Sequence, residues 1–180
     1  MAVIGYNTIG GSTDTYDSTV STASRLLAAN KYAPASGDTA TTFNIYIAGG
    51  GGADSTISLG LWDVTGLGIN PANATLLVST TMLITAAMKA APALYTATVN
   101  WSLTSYVGKT IAAAIAAVDV GSILVAADSV ANASSAVFGG GDVFPSPIWS
   151  STTYGSSNSD TFYFNVTSSG GGTATIAWVK

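Results

Sequence analysis

Residues 43–47 read Phe-Asn-Ile-Tyr-Ile, which sets Phe43, Ile45 and Ile47 on one side of an extended chain and Asn44 and Tyr46 on the other. Successive side chains of a strand point to opposite faces, so a run of this kind buries one clean apolar face only as a strand. The same alternation recurs at Ile57, Leu59 and Leu61, and at Phe162, Phe164 and Val166. It predicts strands over Val3–Ile9, Ala23–Tyr32, Thr41–Ala48, Thr56–Asp63, Leu76–Thr85, Leu94–Trp101, Asp160–Thr167 and Thr173–Val179. Thr110–Val118 is rich in alanine, which favours helix, but its length and its Gly108 and Gly121 boundaries fit a strand of small side chains. Ser122–Ala127 is expected to be its hairpin partner.

Between these runs, glycine, proline, asparagine and aspartate mark the breaks. Gly10–Ser21, Pro34–Asp38, Thr65–Asn73 and Phe138–Tyr154 read as loops or turns, Gly49–Gly52 as a flexible hairpin loop, and Ala86–Pro92 as a link. The chain contains no glutamate and no glutamine, two good helix formers, while serine, threonine, valine, isoleucine and tyrosine abound. The expectation is an all-β, antiparallel two-sheet sandwich of the jelly-roll kind, with roughly nine or ten strands and little or no helix. A single β-sandwich domain is expected over residues 1–168, followed by a C-terminal strand or arm at 169–180 beyond the Gly170-Gly171-Gly172 hinge. No internal repeat suggests a solenoid or propeller.

The missing residues also narrow the chemistry. With no histidine and no cysteine, Ser-His-Asp and Cys-His machinery, thiolate metal sites and disulfides are all excluded. All nine acids are aspartates, most of them at strand ends or in turns, where aspartate commonly serves the backbone. No catalytic residue, cofactor or metal is therefore expected. Asp14 and Asp17 lack the spacing of a calcium loop and read as part of a solvated loop. Gly108-Lys109-Thr110 resembles the tail of a phosphate loop, but Leu103 stands where the motif needs a glycine and a strand is expected to follow. Four Asn-x-Ser/Thr triplets, at Asn73, Asn100, Asn132 and Asn165, arise by chance in so hydroxyl-rich a chain.

Only 8% of the residues are charged, against roughly 25% in ordinary soluble domains. Such a chain either covers its surface with Ser, Thr, Asn and Gly or has part of it covered by neighbours. Five scattered cations in a chain of net charge −4 do not form a patch for nucleic acid or an anionic membrane. The longest apolar stretch, Ile111–Ala127, is rich in alanine, is interrupted by Asp119 and is too weak to span a bilayer. Met1–Tyr6 does not read as a targeting segment, so synthesis in the cytosol is expected.

Trp62 and Trp101 lie in predicted strands and read as core or sheet-face residues. Trp149 lies in a loop with Phe144, Pro145, Pro147 and, further on, Tyr154. Phe144, Trp149 and Tyr154 are thus the candidates for contact with a ligand or partner; the competing reading is an aromatic plug at one end of the sandwich. Thr173, Ile176 and Trp178 mark the candidate strand-exchange arm.

Several segments recur in a familiar order: Ile4–Gly11, Ser24-Arg25-Leu26, Phe43–Ile47, Ile57–Asp63, Gly108–Ala112, the aromatic-proline loop Phe144–Trp149, and Asp160–Phe164. Together they resemble jelly-roll modules of phage virion decoration and cement proteins, which also occur as accessory domains of bacterial surface and carbohydrate-active proteins. The resemblance spans residues 4–167; where the usual loop carries an aspartate between its two prolines, this chain has Ser146. It implies a non-catalytic structural protein, a capsid decoration protein binding the major capsid protein or other virion proteins through sheet edges and apolar contacts. A homo-oligomer located in the virion, assembled in the host cytoplasm, is the matching expectation. The alternatives are a carbohydrate-binding module and a tail or fibre component.

Overall fold

The computed structural model describes residues 1–16, 24–27, 30–67, 73–118, 121–129, 135–138, 154–155 and 158–169. Within them, two antiparallel sheets pack face to face around one apolar core, which is the expected β-sandwich. In chain order the strands are β1 (Ala2–Tyr6), β2 (Ser12–Tyr16), β3 (Ser24–Leu27), β4 (Asp38–Gly50), β5 (Ser55–Asp63), β6 (Thr75–Ile84) and β7 (Ala93–Ser102). There follow β8 (Ile111–Ala117), β9 (Ile123–Ser129), β10 (Ser135–Phe138), β11 (Tyr154–Gly155), β12 (Asn158–Asp160) and β13 (Phe162–Ser168). The one α-helical turn among the described residues is α1 (Ala86–Ala90), inside the Ala86–Pro92 link; Thr85 caps it, its hydroxyl accepting from the Met88 amide at 3.2 Å.

The seven-stranded sheet runs β1-β13-β4-β9-β12, with β2 beside β9 and β7 on the remaining edge of β4; the six-stranded sheet runs β11-β10-β3-β8-β5-β6. The chain changes sheet repeatedly, so most neighbours are distant in sequence. The alternating residues behave as the pattern predicts. Phe43, Ile45, Ile47, Phe162 and Phe164 turn inward and are fully buried against Ile57, Leu59 and Leu61 of the opposite sheet. Phe43 stacks obliquely on Phe164 at 5.1 Å, and Trp101 on Phe164 at 5.3 Å.

The alanine-rich segment is a strand, β8, buried on both faces. Ala113, Ile115 and Ala117 face the main core, while Ala112, Ala114 and Ala116 join Leu26, Trp62, Val64 and Ala74 in a second cluster on the other side of the six-stranded sheet. Trp62 sits directly opposite Ala112 in register, where the methyl side chain leaves room for an indole. Trp62 is thus a core residue, as expected.

Three expectations need correction. The loop assigned to Gly10–Ser21 contains β2; it lies at the sheet margin with most of its residues exposed, so its polar sequence carries no burial signal. β8 and β9 are not a hairpin: they lie in different sheets, and the turn between them carries the chain across the sandwich. The Gly49–Gly52 segment likewise crosses between sheets rather than closing a hairpin. Gly49 and Gly50 extend β4, and a side chain at Gly50 (φ 148°) would lie 2.4 Å from the Ser122 carbonyl oxygen. The described residues form thirteen strand segments; leaving aside β10, β11 and β12, of two to four residues each, ten remain, in line with the roughly nine or ten expected.

One junction organises the larger sheet. β4 pairs first with β13, from Asp38 to Ile45, and then with β9, from Ile47 to Gly50. Thr161 fills the point where the two partners diverge. Its carbonyl accepts from the Tyr46 amide at 3.0 Å, its amide donates to Ala126 O at 2.7 Å, and its hydroxyl donates to Thr8 O at 2.6 Å. A buried threonine with every polar group paired joins five segments at little desolvation cost.

Candidate functional site

The aromatic candidates Phe144 and Trp149 and the arm residues Thr173, Ile176 and Trp178 lie outside the described residues, as does the 169–180 boundary beyond Ser169. Of Tyr154 only the backbone is described: it pairs with Ala136 in β11, at the margin of the six-stranded sheet.

The aspartates do not converge either. Among the described residues no group of three or more acids could hold a metal ion. Asp38 accepts from the Tyr32 hydroxyl at 2.6 Å, the Ser168 hydroxyl at 2.5 Å and the Ala35 amide at 2.8 Å. Burial alone would raise its pKa; these donors outweigh burial and hold it below the usual carboxylate range. Tyr32 is pushed the other way, by burial first and then by the adjacent carboxylate. Tyr6 donates to Asp128 at 2.9 Å and is also raised, chiefly by burial. Tyr16 donates to the buried Asp160. With few cations in the chain, tyrosine hydroxyls take the part that lysine or arginine usually plays beside a buried carboxylate.

Lysines serve the frame as well. Lys109 meets Asp63 at 2.6 Å and precedes β8, so Gly108-Lys109-Thr110 is no phosphate loop. Burial would raise the Asp63 pKa, but Lys109 and Thr65 outweigh it and lower it. Lys89, nearly buried in α1, donates to Ala53 O at 2.7 Å, Ser55 Oγ at 2.7 Å and Gly51 O at 3.3 Å. A side chain at Gly121 would collide with that Ser55 hydroxyl.

The least finished part of the molecule is one side of the sandwich. β6 and β7 are each ten residues long, neither contains a charged residue or proline, and each pairs on one side only among the described residues. The core is half-open between them. Leu77, Val78 and Met82 of β6 and Met88 of α1 pack against it while remaining partly exposed. Tyr95, Val99 and Trp101 of β7 and the nearby Tyr106 do the same. In contrast, the same inward row on β4 is fully buried. Exposed Leu83 (54%) and Leu94 (42%) flank this seam. Natural sheets usually guard such edges with lysine, proline or a short strand. The signal in the sequence was the uncharged runs 75–84 and 93–102, but which strands lie at edges depends on pairings that local pattern does not reveal.

The outer face of the larger sheet is also uncharged across β13, β4 and β7. Tyr163, Asn44 and Thr96 share one row and Asn165, Thr42 and Thr98 the next. The Thr96 hydroxyl donates to Asn44 Oδ1 at 2.9 Å, and Asn165 Nδ2 donates to the Thr42 hydroxyl at 2.9 Å, so both amides are bonded to neighbouring threonine hydroxyls. Compared with protein-family models, with curated proteins and with solved structures, the chain matches none.

Proposed function

We propose that this chain is a non-catalytic structural protein that decorates a virion surface, a capsid cement protein held to major capsid or other virion proteins by sheet edges and apolar contacts. The observation that supports it is the half-covered seam between β6 and β7, two long edge strands with neither charge nor proline. Main-chain groups along such an edge bind an added strand, and the apolar row beneath them gains burial when one arrives. The described carboxylates Asp38, Asp54, Asp63, Asp128 and Asp160 each hold a backbone amide, a tyrosine or a lysine in place, a framework use of acid groups.

Co-sedimentation with purified particles tests the reading: the protein is expected to pellet with intact capsids and to raise their resistance to heat. Failure to bind any particle assembled with it in the same cell would remove it.

The uncharged face bearing Tyr46, Tyr163 and Asn165 favours a second reading, a carbohydrate-binding module for neutral sugars. Tyrosine rings stack on sugar C–H faces, and a face without charge suits a ligand without charge. A glycan array with the wild type and Tyr163→Ala separates the two readings: signal lost in the variant supports the module, and an empty array removes it.

A further inference from the structure

We propose that two copies of this chain join β7 to β7 about a two-fold axis at Thr96, continuing the seven-stranded sheet from one subunit into the other. The inference rests on the reading that the chain assembles through sheet edges, and not on any particular particle.

β7 is the edge best suited to a ladder. On β6 the Leu77 carbonyl, at the bulge opposite Leu61 and Trp62, is already taken by the Tyr106 hydroxyl at 3.2 Å. On β7 the irregularity is confined to one end, where Asn100 adopts φ 54°. That leaves Ala93–Thr98 as a regularly paired stretch with Thr96 inside it.

The occupant follows from charge and shape. A partner recognised by charge has nothing to grip, because residues 93–102 carry none. A second β7 matches it. With the axis at Thr96, the antiparallel register sets Tyr95 opposite the partner's Ala97 and Leu94 opposite the partner's Thr98, large beside small on each face. Like residues on the same side meet only at Thr96, hydroxyl to hydroxyl. An isologous contact of this kind closes after two copies and leaves no free β7 edge. It also covers the half-open row formed by Tyr95 and Val99.

The chain has no cysteine, so single replacements report contacts cleanly. Sedimentation equilibrium of the full-length wild type is expected to give a dimer. Thr96→Cys is expected to oxidise to a disulfide-linked dimer, and Ser79→Cys, on the exposed part of β6, to form no disulfide link under the same conditions. Thr96→Lys sets two like charges opposite each other and is expected to weaken self-association by about tenfold or more. Mixing Thr96→Lys with Thr96→Asp is expected to restore the dimer as a heterodimer, which a merely misfolded variant would not do. A monomeric wild type, cross-linking at Ser79→Cys instead of Thr96→Cys, or loss of the dimer in Ile176→Asp would each overturn the pairing, the last by assigning the contact to residues 173–179. A wild-type monomer that still co-sediments with capsids overturns this pairing alone. A cross-linked dimer that binds no particle upholds it and removes the virion reading.

Discussion

The Tyr32 hydroxyl donates to Asp38 Oδ2 at 2.6 Å, locking the segment that leads into β4 onto the first residue of that strand. Asp38 also holds Ser168 at the end of β13, so one carboxylate gathers three parts of the chain. Because its folded pKa lies below the unfolded value, its stabilisation is present above about pH 4 and is lost as pH falls through the folded pKa. Asp38→Asn is expected to cost about 1–3 kcal/mol at neutral pH and to flatten the stability curve on the acid side. Urea denaturation from pH 6 to pH 2 measures both. Tyr32, raised instead, predicts loss of stability as pH climbs above about 10, a slope that Tyr32→Phe removes.

Adjacent glycines give a matched pair. A Cβ on Gly10 would lie 1.9 Å from the Ala127 carbonyl oxygen, whereas one on Gly11 meets nothing within 4 Å. Gly10→Ala therefore has to push β1–β2 away from β9 and is expected to destabilise by about 2 kcal/mol or more. Gly11→Ala is expected to stay within about 0.5 kcal/mol of wild type. Thermal melts of the two variants side by side check the contrast.

Lys89 holds the turn after β4 through two carbonyls and a hydroxyl. Lys89→Met keeps the apolar stem and strands those acceptors. The expected loss is about 2–4 kcal/mol, with hydrogen exchange accelerated first at residues 49–55.

In the second cluster, Trp62→Ala empties an indole-sized volume over Ala112 and is expected to cost about 3–5 kcal/mol. Ala114→Leu overfills the same layer and is expected to cost about 1–3 kcal/mol. Combining Trp62→Ala with Ala114→Leu is expected to cost less than the sum of the two, since the leucine occupies part of the vacated space; a double-mutant cycle gives the coupling.

β4 and β13 were legible because burial of one face imposes alternation on the sequence, and β5, buried on both faces, because Ile57, Leu59 and Leu61 still alternate with smaller residues. β8 was legible by length and its glycine boundaries despite its alanines. β2 was not, since its side chains are mostly exposed and burial leaves no mark on them. Sheet membership was not legible either. Ser122–Ala127 follows β8 closely, yet β9 pairs with β2 and β4, and nothing within a short window encodes a partner so far away. The tyrosine–aspartate pairs were hidden for the same reason: Tyr6 and Asp128 meet only after the chain has folded. The shortage of cations was the available hint that buried acids would need neutral donors. An exposed edge was expected, but beyond Gly172; among the described edges, β6 and β7 are the long ones that lack charge.

β1 lies alongside β13, with Ala2 opposite Val166 and Tyr6 opposite Phe162. The ribosome must therefore release residue 168 before the opening strand can find its neighbour, and every earlier nascent length holds an aromatic row with no lid. Such a topology, built on pairings distant in sequence, folds slowly. During that wait, the scarcity of charge leaves the unfinished chain exposed to clumping.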